Sequence, residues 1–123
     1  MQIPKPLPAE GFSVPLRASF LVFKALPLLG VAHNNAAPRL TLFEDHLEYR
    51  VLTLTRKTYA DIEAVDARRW IGTRSVILCW RARMLAFAGN VGAGDQLVTL
   101  LKFFEERGGK LTPRARNILT AVR

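Results

Sequence analysis

Leu97, Leu100, Leu101 and Phe104 recur at spacings of three and four, and Gly108-Gly109 ends the run. Widened by Val98 and Phe103, that stripe is the pattern of one amphipathic helix, with Asp95 at the N-cap position. Elsewhere the apolar residues mostly alternate with polar ones in short runs, which is the strand period. A helix with one apolar stripe must cover something, and short strands must bury a face. A mainly β domain closed by a C-terminal amphipathic helix satisfies both demands.

The chain has 123 residues, enough for one domain core and too few for two. Half of them are hydrophobic and 23% are charged, which excludes a disordered chain. Cys79 is the only cysteine, so no disulfide forms within the chain, and a reducing, cytoplasmic setting fits. The longest apolar run, Phe20 to Ala32, is broken by Lys24 and Pro27 and falls short of the roughly 20 residues that span a bilayer. Gly30-Val31-Ala32 is a poor signal-cleavage site, and the leader before the run is proline-rich, not basic.

Residues 1 to 10 carry three prolines and read as an extended arm or an unstructured leader. Phe12 to Val22 alternates as a strand, with Pro15 confining its early part to a sheet edge. Both faces become apolar at Phe20, Leu21, Val22 and Phe23, and a short helix over Lys24 to Leu29 competes with continued strand. His33 to Pro38 reads as a loop. Leu40 to Phe43 and Leu47 to Leu52 flank the acidic turn Glu44-Asp45-His46 as a β-hairpin. Thr53 to Lys57 reads as a bend or turn, and the broken alternation between Ile62 and Val65 as a bulge. Arg69 to Arg74 reads as a turn with Gly72 near its tip. Ser75 to Ala82 is a strand apolar on both faces, and Met84 to Ala88 a further short one. Thr112-Pro113 has the form of an N-cap and first helical position, opening a short helix with Ile118, Leu119 and Val122 on one stripe.

Two stretches carry family-like features. One is Pro38 to Arg50, a strand, an acidic turn and a strand. The other is Lys57-Thr58-Tyr59-Ala60-Asp61-Ile62-Glu63-Ala64-Val65, with an aromatic-x-Asp-Ile-x-x-Val step. Together with the terminal helix after Ala86-Phe87-Ala88-Gly89-Asn90, they resemble the bacterial PH-like (pleckstrin-homology-like) domains, over Pro38 to Gly109. The resemblance implies a bent antiparallel β-sandwich or partial barrel capped by one amphipathic helix. It also implies a binding or assembly role without catalysis. Residues 11 to 109 would form that domain, residues 1 to 10 the arm, and residues 110 to 123 a basic tail or short helix. Relatives that bind phosphoinositides do so through Lys and Arg on their first hairpin. Here that turn is Glu44-Asp45-His46, so lipid specificity does not carry over.

The net charge of +8 favours anionic partners. The excess gathers in two places: Arg56 to Arg83, and the acid-free stretch Arg107 to Arg123. The segment holding Arg68, Arg69, Trp70, Ile71 and Arg74 combines aromatic, apolar and cationic groups, the residue types of protein-interface anchors and of anionic-membrane contacts. Arg114 and Arg116 make the tail a second candidate. Phe20, Leu21, Val22 and Phe23 are candidates for self-association, through strand pairing or a buried apolar face.

Catalytic chemistry finds no foothold. His33 and His46 are isolated, and Cys79 lies mid-strand between Leu78 and Trp80 as an apolar filler. Gly89 to Gly94 precedes a helix but lacks the Lys-Ser/Thr ending of a phosphate loop. The expectation is a non-enzymatic interaction module with no cofactor and no metal site. It would bind protein partners or itself, with an anionic membrane as the alternative partner. Nucleic acid ranks low because the tail has no interleaved aromatics, and a small-molecule substrate ranks low for want of a specific feature.

Overall fold

The computed structural model describes residues 1–24, 30–70, 73–92 and 95–121. Two antiparallel sheets, two α-helices and a 3-10 turn at Tyr59–Asp61 account for its regular structure. One sheet orders β1 (Phe12–Ser13), β4 (Arg39–Leu42), β5 (His46–Arg50) and β6 (Leu54–Thr58) as β1-β4-β5-β6. The other comprises β2 (Ala18–Phe23), β3 (Gly30–Asn34), β7 (Ile62–Trp70), β8 (Thr73–Trp80) and β9 (Leu85–Asn90), ordered β3-β2-β9-β8-β7. Helices α1 (Gln96–Glu106) and α2 (Pro113–Thr120) follow. This is the mainly β sandwich with a C-terminal helix that the alternation requires.

The alternating stretch from Phe12 to Val22 is two strands in two sheets, not one. Pro15 has no N–H for a ladder and falls at the crossing. On one side Val14 N–H donates to Leu40 O (2.8 Å), and on the other Arg17 N–H donates to Asn90 O (2.8 Å). β2 then lies between β3 and β9 with both hydrogen-bonding edges filled. Of the two routes to self-association expected for Phe20 to Phe23, strand pairing therefore finds no free edge on β2, because β3 and β7 are the edges of that sheet. Thr53 to Lys57, expected as a bend, is mostly strand β6, paired with β5 from Leu54↔Arg50 to Thr58↔His46. The helix weighed for Lys24 to Leu29 falls largely outside the described residues.

β8 explains why both its faces are apolar. Val76, Leu78 and Trp80 face the main core with Leu40, Leu42, Leu47, Tyr49 and Phe87. Ile77 and Cys79 face the other way and bury with Val22, Ala86 and Ala88. The expected bulge is present, as a register shift between Ile62 and Ala64.

α1 buries Leu97, Leu100, Leu101, Phe103 and Phe104. Asp95 occupies its N-cap position but makes no side-chain capping bond. At the other end Gly108 takes φ +85°, the left-handed conformation that stops a helix, and Gly109 N–H returns to Phe104 O (2.8 Å). Thr112 caps α2 by accepting from Ala115 N–H, with Pro113 in the first turn, as the sequence predicts. Both flanks join the single main core: Leu7 from the N-terminal arm, and Ala115, Ile118 and Leu119 from α2. The arm is docked, not loose, for Leu7 N–H donates to Glu44 Oε1 (2.6 Å) and Lys5 pairs with Glu106 (2.7 Å).

Candidate functional site

The β7–β8 hairpin places the principal candidates. Arg68, Arg69 and Trp70, expected in a loop, belong to β7, and Arg74 belongs to β8. Their register is Arg68↔Ser75, Arg69↔Arg74 and Trp70↔Thr73. The turn is thus shorter than the sequence suggests, because strand pairing runs almost to its tip. Ile71, Gly72 and the Trp70 side chain lie outside the described residues.

The direct opposition of Arg69 and Arg74 is the electrostatic feature of this end. Like charges at directly paired positions destabilise a sheet. Arg68 adds a third cation, half-buried, whose Nε is buried without a hydrogen-bond partner. Arg17 adds a fourth. Its N–H bonds to Asn90, which pairs with Ser75 of β8, and its side chain lies across Gly92, where a Cβ would sit 2.7 Å from its Nε. Among the described residues none of these four arginines has an ion-pair partner. Arg39 and Arg50, opposed on the four-stranded sheet, are a second unpaired couple.

Several other cations are neutralised within the chain. Lys24 meets Glu63 (2.5 Å), Arg107 meets Glu44 (3.3 Å) and Arg116 meets Glu105 (3.1 Å). Arg114 Nη2 donates to Asp66 Oδ2 (2.6 Å) and its Nε to Oδ1 (3.2 Å). The basic tail predicted around Arg114 and Arg116 is consequently not a free cationic surface, since both guanidinium groups are tied to carboxylates of the fold. Asp66, in turn, is buried. Burial pushes its carboxyl up, but donation from Arg114, Thr112 and the Ala67 N–H outweighs it and holds the group below the usual carboxylate range. This latch fastens α2 to β7, reinforced by Val65 N–H to Lys110 O (2.7 Å) and Thr112 N–H to Val65 O (3.0 Å).

Phe20, Leu21, Val22 and Phe23 divide between two faces. Leu21 packs toward the main core, while Phe20 and Val22 join the second apolar cluster. The histidines are apart: His33 tilts toward Phe20 at 6.2 Å, while His46 stacks on Phe43 at 4.3 Å and meets Asp45 Oδ1 (2.6 Å). Cys79 is buried, and burial pushes its thiol up, away from the thiolate form. Among the described residues no group of three or more His, Cys, Asp or Glu could hold a metal ion. Nor is any helix among them long and apolar enough to cross a membrane.

One surface escaped sequence reasoning. At the other end of β8, an open cleft of about 800 Å³ lies between the sheets, bordered by Leu21, Phe23, Tyr49, Trp80 and Leu85, with Lys57 and Arg83 also lining it. Tyr49 and Trp80 stack at 5.4 Å, and Lys57 Nζ stands 5.5 Å from the Trp80 ring centroid. Its residues come from five strands and a turn, so no local motif announces it. The one available signal was a Trp flanked by cations near a turn, Trp80-Arg81-Ala82-Arg83.

The chain matches no protein-family model, and it matches none of the curated proteins.

Proposed function

We propose that this chain is a non-enzymatic interaction module of the PH-like kind that its strand pattern resembles. Its partner is an acidic segment of another protein, docked on the arginine-rich end of the β7–β8 hairpin. The observation that carries this reading is the register pair Arg69↔Arg74, flanked by Arg68 and Arg17, with no carboxylate of the described chain neutralising any of them. Arginine presents a planar fork that takes a carboxylate bidentately, and it keeps its charge at any physiological pH. Such a cluster raises the rate of encounter with an acidic partner and weakens with salt.

The test is fluorescence anisotropy of a labelled Asp/Glu-rich peptide against the wild type and Arg69→Glu/Arg74→Glu. Saturable binding that weakens with salt, and by about tenfold or more in the variant, supports the reading. Binding that is absent or equal in the two proteins overturns it. Co-sedimentation with phosphatidylserine vesicles is the second arm: vesicle binding without peptide binding would assign the same arginines to a membrane. Light scattering is the third, because a mass above one chain that persists in the variant would point to self-association elsewhere.

A further inference from the structure

The cleft at the far end of β8 has a composition of its own. Its floor is apolar: Leu21 and Phe23 from β2, Leu85 from β9, and the stacked rings of Tyr49 and Trp80. A volume of about 800 Å³ falls in the range of pockets that hold small ligands. Lys57 and Arg83 supply two cations, and no acidic residue lines the space among the described residues. Neither cation makes an ion pair there.

Two further features set this end apart. Trp80 is 3% exposed, and its Nε1–H is buried beside the Tyr49 hydroxyl, so the pair forms a rigid aromatic wall. Ala82, also lining the cleft, has φ 56°, the only positive value among described non-glycine residues. Alanine resists that conformation, and strain of this kind collects at binding sites.

We propose that this cleft binds a long-chain carboxylate. The acyl chain lies along Leu21, Phe23 and Leu85, and the carboxylate sits between Lys57 and Arg83, accepting from both. Charge complementarity selects this ligand. Two cations suit a single carboxylate head, while the apolar floor offers nothing to the amides of a peptide or to a polyphosphate. The length of β8 separates this site from the hairpin end by roughly 25 Å, so the two are distinct surfaces.

The experiment uses the full chain carrying Trp70→Phe, which leaves Trp80 as the only tryptophan and thus a reporter inside the site. Oleate and oleyl alcohol are titrated below their aggregation concentrations, with calorimetry on the wild type as the second readout. Saturable one-site binding of oleate is expected, with the alcohol about tenfold weaker or more, since a charge-assisted contact is lost. Lys57→Gln/Arg83→Gln should lose a similar factor for oleate while its circular dichroism and thermal midpoint stay unchanged. Absence of saturable binding, equal affinity for acid and alcohol, or an unaffected double variant would each overturn the proposal. Response to vesicles alone would do so too, by assigning the cleft to a bilayer surface.

Discussion

Replacing Asp66 with Asn should detach α2 from β7 at a cost that depends on pH. The Asp66 side chain is 9% exposed and accepts from Thr112 Oγ1 (2.6 Å), Arg114 Nη2 (2.6 Å) and Ala67 N–H (2.8 Å). Asn keeps the shape and one acceptor, but it turns an NH₂ toward donors and removes the charge. A hydrogen bond to a charged group contributes about 1.5–3 kcal/mol. Arg114 is 46% exposed, so the freed guanidinium returns to water and the net loss settles near 2 kcal/mol. For a domain of this size that lowers the melting temperature by about 8 °C. The folded carboxyl lies below its ordinary value. Its stabilisation is therefore complete above about pH 4 and fades as pH falls through the folded value. Urea melts of both proteins should show a constant gap from neutral pH down to about pH 4 and a shrinking one below it. A gap below about 0.5 kcal/mol at neutral pH, or one that does not shrink on acidification, would refute the latch.

Leu119→Ala should cost about 2–4 kcal/mol in urea melts, since Leu119 is fully buried in the main core; a surface tail would lose almost nothing. Gly108→Ala, with φ +85° and open space around the new Cβ, should cost about 1–2 kcal/mol from backbone conformation alone. Tyr59 donates to Phe43 O (2.6 Å), and burial first, then the neighbouring carboxylates against Arg107, pushes its phenol up to about 12. Ultraviolet titration should therefore find Tyr59 protonated well past pH 10. The stability it contributes holds below the unfolded phenol value and disappears as pH rises through about 12.

Local signals were legible where the physics is local. The stripe of α1, its glycine stop, the Thr112-Pro113 start of α2, the Glu44-Asp45 hairpin and the bulge after Ile62 all follow from neighbours in sequence. Strand β3 was missed because Gly30 and Asn34 have little strand propensity, and pairing with β2 supplies what they lack. The sheet switch at Pro15 was hidden because alternation continues through it while the pairing partner changes. Of the candidate contact residues, the arginines of the hairpin were legible, but their opposition was not, since register depends on where the turn closes. Arg114 seemed free because its partner Asp66 lies 48 positions away. The cleft was illegible for the same reason: it exists only where several strands converge.

The hairpin proposal is tested most directly by backbone amide shifts of the labelled chain during titration with the acidic peptide. Docking at the opposed arginines predicts the largest changes at Arg68, Arg69, Arg74 and Ser75, extending to Arg17 and Asn90, with Lys57 and Arg83 undisturbed. Changes centred on Lys57, Arg83 or α2, or no changes at all, would contradict it.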